Sequence, residues 1–258
     1  MRKKISFMPL MALLVVLGFS SCMNNAGNTL SVPWIPAVVV STASGPILNT
    51  GFGKEGFGLV SVPDLEGKVS LGDYLYVSLT FDWDNQPVSS MFNCLASLQK
   101  TPDAYEIIEH TALTVTNGDL NLAFADSVVG CMINGYVDYP TRHQYSFMMQ
   151  IGHKAPQNQE YEYQLVCNLD SVSKDTYGDR TYMLYLLAKK SEPIRIGNIT
   201  NVNNYYGFDI SGFVAQGTPG KELKFNIKYI FGNDSKGNPV YRIYKPANAD
   251  AFSIFVPE

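Results

Sequence analysis

Apolar side chains recur at every second residue along most of this chain, and that period dictates extended structure. Over residues 74–81, Leu75, Val77, Leu79 and Phe81 share one face, leaving Tyr74, Tyr76, Ser78 and Thr80 on the other. Over residues 223–229, Lys224, Asn226 and Lys228 take the solvent side; the polar run 233–238 then supplies turn chemistry before Val240 to Tyr244, which predicts a hairpin. The same pattern predicts strands at 37–41, 56–62, 91–98, 112–116, 120–125, 128–137, 145–151, 161–168, 182–188, 194–199 and 206–214. No long window carries the 3.6-residue period of an amphipathic helix.

Short strands separated by Gly, Pro, Asn and Asp argue for a barrel or sandwich rather than a parallel sheet with crossover helices, so the fold class is all-β. The most plausible linker is Thr101-Pro102-Asp103. It divides the folded chain into a small β-barrel, residues 34–102, and a larger antiparallel β-sandwich, residues 103–258. With 16 Tyr, 14 Phe and only 16% charged residues, the 258-residue chain has the apolar surface for a core, which excludes disorder.

The first residues carry an address. Arg2, Lys3 and Lys4 precede an apolar run of 13 residues, Phe7 to Phe19, too short to span a bilayer as a helix, so residues 1–21 read as a removed export signal. Its end, Leu17-Gly18-Phe19-Ser20-Ser21-Cys22, resembles the relaxed lipobox of lipoproteins from Bacteroides-type bacteria. That resemblance implies lipidation of Cys22, with residues 22–33 as a tether, and each buried acyl methylene contributes about 0.8 kcal/mol of anchoring. Without residues 1–21, 16 basic face 23 acidic side chains, a net charge near −7, and nucleic acid is not an expected partner. Between Cys22 and Lys54 there is no charged side chain, so the lipid alone must anchor the protein. The acidic run that follows the lipidated cysteine in surface-exposed lipoproteins of this group is missing, which points to the periplasmic face of the outer membrane. Cys94, Cys131 and Cys167 remain; their odd number allows at most one internal disulfide, and their apolar neighbours predict buried thiols.

Motifs of catalysis and metal binding fail on context. Residues 51–56 match the dinucleotide-binding glycine spacing, but a strand-like segment ending at Pro63 follows instead of a helix. Ser97 with Lys100 and Ser171 with Lys174 have the Ser-x-x-Lys spacing, yet neither pair lies on a predicted helix. Asp82-Trp83-Asp84-Asn85 starts like a calcium loop and continues into Gln86-Pro87 with no closing glutamate. His110, His143 and His153 form no two-imidazole pair, so no zinc site and no catalytic residue is predicted. Trp34, Trp83, Tyr205 and Tyr206 are candidate stacking platforms for a sugar or other small ligand, against the commoner role of aromatics as packing.

Three stretches resemble the NigD-like lipoproteins of Bacteroides-type bacteria. Residues 69–77 look like that family's turn into a strand of an OB-like N-terminal barrel, with Tyr74 in place of the usual arginine. Residues 145–151 followed by 161–168 look like paired strands of its C-terminal sandwich, with Tyr where a His often opens the second. Residues 208–211 leading into the Leu223 hairpin look like its last part. The family offers no catalytic residues to transfer. The resulting expectation is a non-enzymatic, lipid-anchored envelope accessory protein without cofactor, serving as a protein-interaction or scaffold module. Glycan or small-ligand binding, and an envelope hydrolase, are the alternatives.

Overall fold

The computed structural model describes residues 27–51, 56–118, 120, 126–139, 144–174 and 180–258. Five strands close a barrel: β1 (Thr29–Ser41), β2 (Ile47–Asn49), β3 (Leu59–Ser61), β5 (Cys94–Leu98) and β4 (Tyr74–Asp82), which returns to pair with β1. Long β1 makes closure possible, because its first half pairs with β4 and its second half with both β4 and β2. The alternation seen in β4 packs Leu75, Val77, Leu79 and Phe81 into the barrel interior with Val39, Leu48 and Val60. β1 starts at Thr29, so residues 29–33 of the expected tether belong to the barrel: their backbone is needed opposite residues 79–82.

The polypeptide leaves the barrel sheet at Glu109, not at the Thr101–Asp103 turn. β6 (Tyr105–Ile108) pairs with β4, with Tyr105 packed against the barrel core. β7 (His110–Ala112) then joins β13 (Ile199–Asp209), β10 (Gln144–Pro156) and β9 (Gly130–Tyr139) in one sheet of the sandwich. The second sheet contains β8 (Thr114–Thr116), β11 (Tyr161–Lys174), β12 (Arg180–Lys190), β14 (Glu222–Asn233) and β15 (Pro239–Tyr244), with β16 (Phe252–Phe255) also on β14. Between the sheets lie Phe147, Met149, Ile151, Leu165, Leu184, Phe208, Phe213, Phe225 and Ile227.

The sandwich is antiparallel in its hairpins but parallel where β7 meets β13, β8 meets β11 and β12 meets β14. One cause is visible at Leu113, which is buried between β7 and β8: the chain crosses from one sheet to the other there without reversing. The predicted hairpin is present, with Asp234 accepting from the backbone N–H groups of Lys236 and Asn238, both at 2.8 Å. Two strand predictions fail. Residues 194–198 are irregular after the cis Glu192–Pro193 bond, leaving Ile194 and Ile196 in solvent. β13 ends at Asp209, whose carboxylate accepts from the Ser211 backbone N–H (2.8 Å) and starts the single helical turn α1 (Ser211–Val214). Most of the predicted strand at 120–125 lies outside the described residues.

Barrel and sandwich meet on the outer face of the β7–β13–β10–β9 sheet. Gly135, Met148, Gly207 and His110 form one row across its four strands. A Cβ on Gly135 would overlap the Pro36 ring, and one on Gly207 would overlap Tyr74, so the two glycines are what let the barrel approach. Met148 fills the space between them, packed with Tyr74, Tyr76 and Ile108. Asn49, fully buried, adds a hydrogen bond across the junction, donating its side-chain amide to the Asp138 carbonyl at 2.9 Å.

Candidate functional site

Most of the described aspartates serve the backbone. The Asp82 carboxylate accepts from the Asp84 N–H and the Asn85 side chain, Asp84 from the Asn28 N–H, Asp73 from Ser70 and Asp64 from Leu98. Asp126 takes the Lys190 N–H at 2.7 Å and its ammonium at 3.4 Å. The calcium-like start at Asp82 is thus a capped turn. Among the described residues no three His, Cys, Asp or Glu side chains converge as a metal site. Ser97 lies on β5 and Ser171 on β11, so neither has a lysine one helical turn away. Residues 50 and 58 pair across the glycine-rich segment as a hairpin; residues 52–55 lie outside the described residues.

His153 is almost fully buried and its ring is defined by its neighbours. Nδ1 lies 2.9 Å from the Ser127 carbonyl, which only accepts, so Nδ1 carries the proton. Nε2 then accepts from the Tyr163 hydroxyl at 2.9 Å, and that oxygen accepts from the Asn204 side chain at 2.7 Å. Tyr161 stacks on the ring at 3.7 Å. Burial holds His153 neutral, lowering its pKa to about 4, and pushes the Tyr163 phenol up. His143 lies outside the described residues. Cys94, Cys131 and Cys167 are all free, and burial pushes their thiols up to about 11, 12 and 12. Cys22 also lies outside the described residues.

Two clefts flank the junction, each of about 430 Å³. In the first, His110, Ser146 and Asp209 share walls with Tyr74 and Asn49. Its polar groups are engaged in the fold: Asp209 accepts from the Ser211 hydroxyl and N–H, Asn49 accepts from the Gly51 N–H, and His110 stacks on Tyr74 at 4.2 Å. No hydrogen bond links His110 to Ser146 or Asp209 among the described residues, so no nucleophile and base are paired there. Burial raises the Tyr74 phenol to about 12.

The second cleft is chemically different. β6 and the residue after it bring Glu106 and Glu109, the start of β11 brings Glu160 and Glu162, and β13 brings Asn203, Asn204, Tyr205 and Tyr206. The His153–Tyr163–Asn204 chain of hydrogen bonds fixes its floor. All four glutamates are exposed, and their carboxylates have no hydrogen bond or ion pair among the described residues. The sequence does not show this concentration of charge, because Glu106 and Glu109 lie about 50 residues from Glu160 and Glu162; of the cleft's residues only Tyr205 and Tyr206 are candidates from sequence.

The four aromatic candidates do not converge. Trp34 is 47% exposed at a bulge of β1, with positive φ and its N–H bonded to the Ser78 hydroxyl at 3.1 Å. Trp83 stacks on Phe81 at the far end of β4. Tyr206 turns towards Tyr163 and Phe208, whereas Tyr205, 40% exposed, rests against Tyr76. Tyr145, Tyr161, Tyr163, Tyr182 and Tyr229 point into the sandwich core.

The fold defines a two-part β protein, a closed five-strand barrel packed on the outer face of a mixed-sheet sandwich, and solved structures from Parabacteroides and Bacteroides species share it. An uncharacterized protein from Parabacteroides merdae aligns over 89% of this chain and 100% of its own, with 14% identity and a TM-score of 0.63. A candidate lipoprotein from Bacteroides fragilis aligns over 84% of this chain and 96% of its own, with 14% identity and a TM-score of 0.52. The matches include a NigD-like immunity protein from Bacteroides caccae, with 13% identity, 91% and 99% coverage and a TM-score of 0.48. No protein-family profile and no curated protein matches the chain. Among the described residues no helix is long and apolar enough to cross a membrane.

Proposed function

We propose that this chain is a NigD-like lipoprotein, anchored through Cys22 at the periplasmic face of the outer membrane, that works without catalysis as a protein-interaction module. The observation that carries the reading is the second cleft: Glu106, Glu109, Glu160 and Glu162 line it with carboxylates that have no hydrogen bond or ion pair among the described residues, over a floor fixed by the His153–Tyr163–Asn204 hydrogen bonds. Such a surface favours a partner with basic side chains, because opposite charges steer encounter and fix register. The absence of nucleic acid among expected partners follows from the same acidic charge.

The test is capture of the lipidated protein with its neighbours from cross-linked envelopes. One stoichiometric partner, enriched over a Cys22→Ala control and lost with Glu109→Lys/Glu162→Lys, supports the reading. A partner retained by the charge-reversed variant refutes the role of the cleft. Glycan binding is the second reading, favoured by Tyr205 and the Asn203 and Asn204 amides beside the carboxylates; if no protein is captured, a glycan array decides it. Retained membrane association of Cys22→Ala would refute the anchor.

A further inference from the structure

Several exposed apolar side chains collect where the chain enters the barrel. Thr29, at the start of β1, pairs with Asp82 at the end of β4. The Trp83 N–H donates to the Asn28 carbonyl at 2.8 Å and the Asn28 N–H to the Asp84 carboxylate at 3.0 Å, so the entry point is fastened to the turn after β4. Trp83 is 37% exposed there, and Leu30, opposite Phe81, is 40% exposed. The loop from 87 to 93 follows, its neck held by Gln86. The Gln86 amide N–H group donates to the carbonyls of Asp82 (2.7 Å) and Leu95 (2.9 Å), and its oxygen accepts from the Leu95 N–H (2.6 Å). At the tip Val88 is fully exposed and Met91 is 48% exposed. A loop held this firmly, with a valine and a methionine turned to water, is not packing the barrel core.

We propose that this end of the barrel is a membrane-docking face, with Leu30, Trp83, Val88 and Met91 resting in the interfacial layer of the bilayer that holds the Cys22 lipid. The inference rests on the lipidation proposed above and adds an orientation to it. Six residues, 23–28, separate Cys22 from β1. Fully extended they span about 20 Å, so this end of the barrel stays close to the membrane surface. Tryptophan prefers the interface, and burial of exposed apolar side chains in the headgroup boundary is favourable. The tether therefore holds at the bilayer a barrel end whose exposed side chains gain from contact with it.

The test uses the full lipidated protein carrying Trp34→Phe, which leaves Trp83 as the only tryptophan. It is reconstituted into vesicles of phosphatidylethanolamine with brominated phosphatidylcholine. Docking predicts co-flotation with the vesicles and bromine quenching of most Trp83 emission. A Val88→Asp/Met91→Asp variant keeps the fold, because both side chains are exposed; it should float equally and lose the quenching. Flotation without Trp83 quenching overturns the docking face and leaves the anchor standing, as does equal quenching in the variant. Failure to float, with no acyl mass on Cys22, overturns the anchor and docking together. A dimer of the Cys22→Ala protein dissociated by Val88→Asp also overturns the proposal, assigning the face to a second copy of the chain.

Discussion

Gly207→Ala probes the joint between barrel and sandwich. A Cβ at position 207 would overlap Tyr74 Cδ1 and lie 2.9 Å from Cε1 and 3.0 Å from the His110 Cβ. Ordinary contact requires Tyr74 to retreat by about 1 Å, but its ring is buried against Tyr76, Ile108 and Met148 and stacked on His110 at 4.2 Å. Overpacking of this kind costs about 2–3 kcal/mol, which lowers Tm by roughly 4–12 °C in a chain of this size. Position 207 has no positive φ, so alanine suits the backbone itself. In a Tyr74→Ala background only the His110 Cβ at 3.0 Å remains tight, and the same substitution should cost less than about 1 kcal/mol, since alanine also restricts the unfolded chain. Urea unfolding of the four proteins of this cycle, made on the Cys22→Ala form, measures the coupling. A loss below about 0.5 kcal/mol, or an equal loss in both backgrounds, would refute the claim that Gly207 exists for close approach.

His153 gives a pH signature. The unfolded ring takes its proton near the ordinary value of 6.5 and the folded ring only near 4, so the unfolded state binds the extra proton between these values. The stabilising effect of the neutral ring is therefore complete above pH 6.5 and lost as pH falls towards 4, about 3 kcal/mol in all; His153→Gln should flatten that part of the profile, and parallel profiles would disprove it. Cys94, Cys131 and Cys167, with thiols raised to about 11–12, should resist a thiol reagent at neutral pH until urea unfolds the protein. Rapid labelling of the folded protein would show that these sulfurs are accessible.

The elements most legible in the sequence are those set by neighbours along the chain. The alternation over residues 74–81 became β4 with the expected side chains inward, and the 233–238 turn joined β14 to β15 through Asp234 and its two backbone donors. The run 194–199 misled because Ile194 and Ile196, two positions apart, look like a strand, whereas among the described residues no strand pairs with residues 194–198. The short β2 and β6 went unpredicted because three or four residues show little periodicity; each exists by pairing with a longer strand, β2 with β1 and β6 with β4.

Local period and turn chemistry, which need only the nearest few residues, therefore determined the all-β class and the long hairpins. Tertiary structure decided what depends on residues far apart in the chain meeting in space. It closed β1 onto both β2 and β4, made three strand pairs of the sandwich parallel, and placed Gly135 and Gly207 beneath Pro36 and Tyr74. It also gathered Glu106, Glu109, Glu160 and Glu162 into one cleft. A glycine in a strand reads locally as a weak point, and an exposed glutamate as ordinary surface; only the element packed opposite gives either a purpose, and single-residue preferences do not encode which element that is.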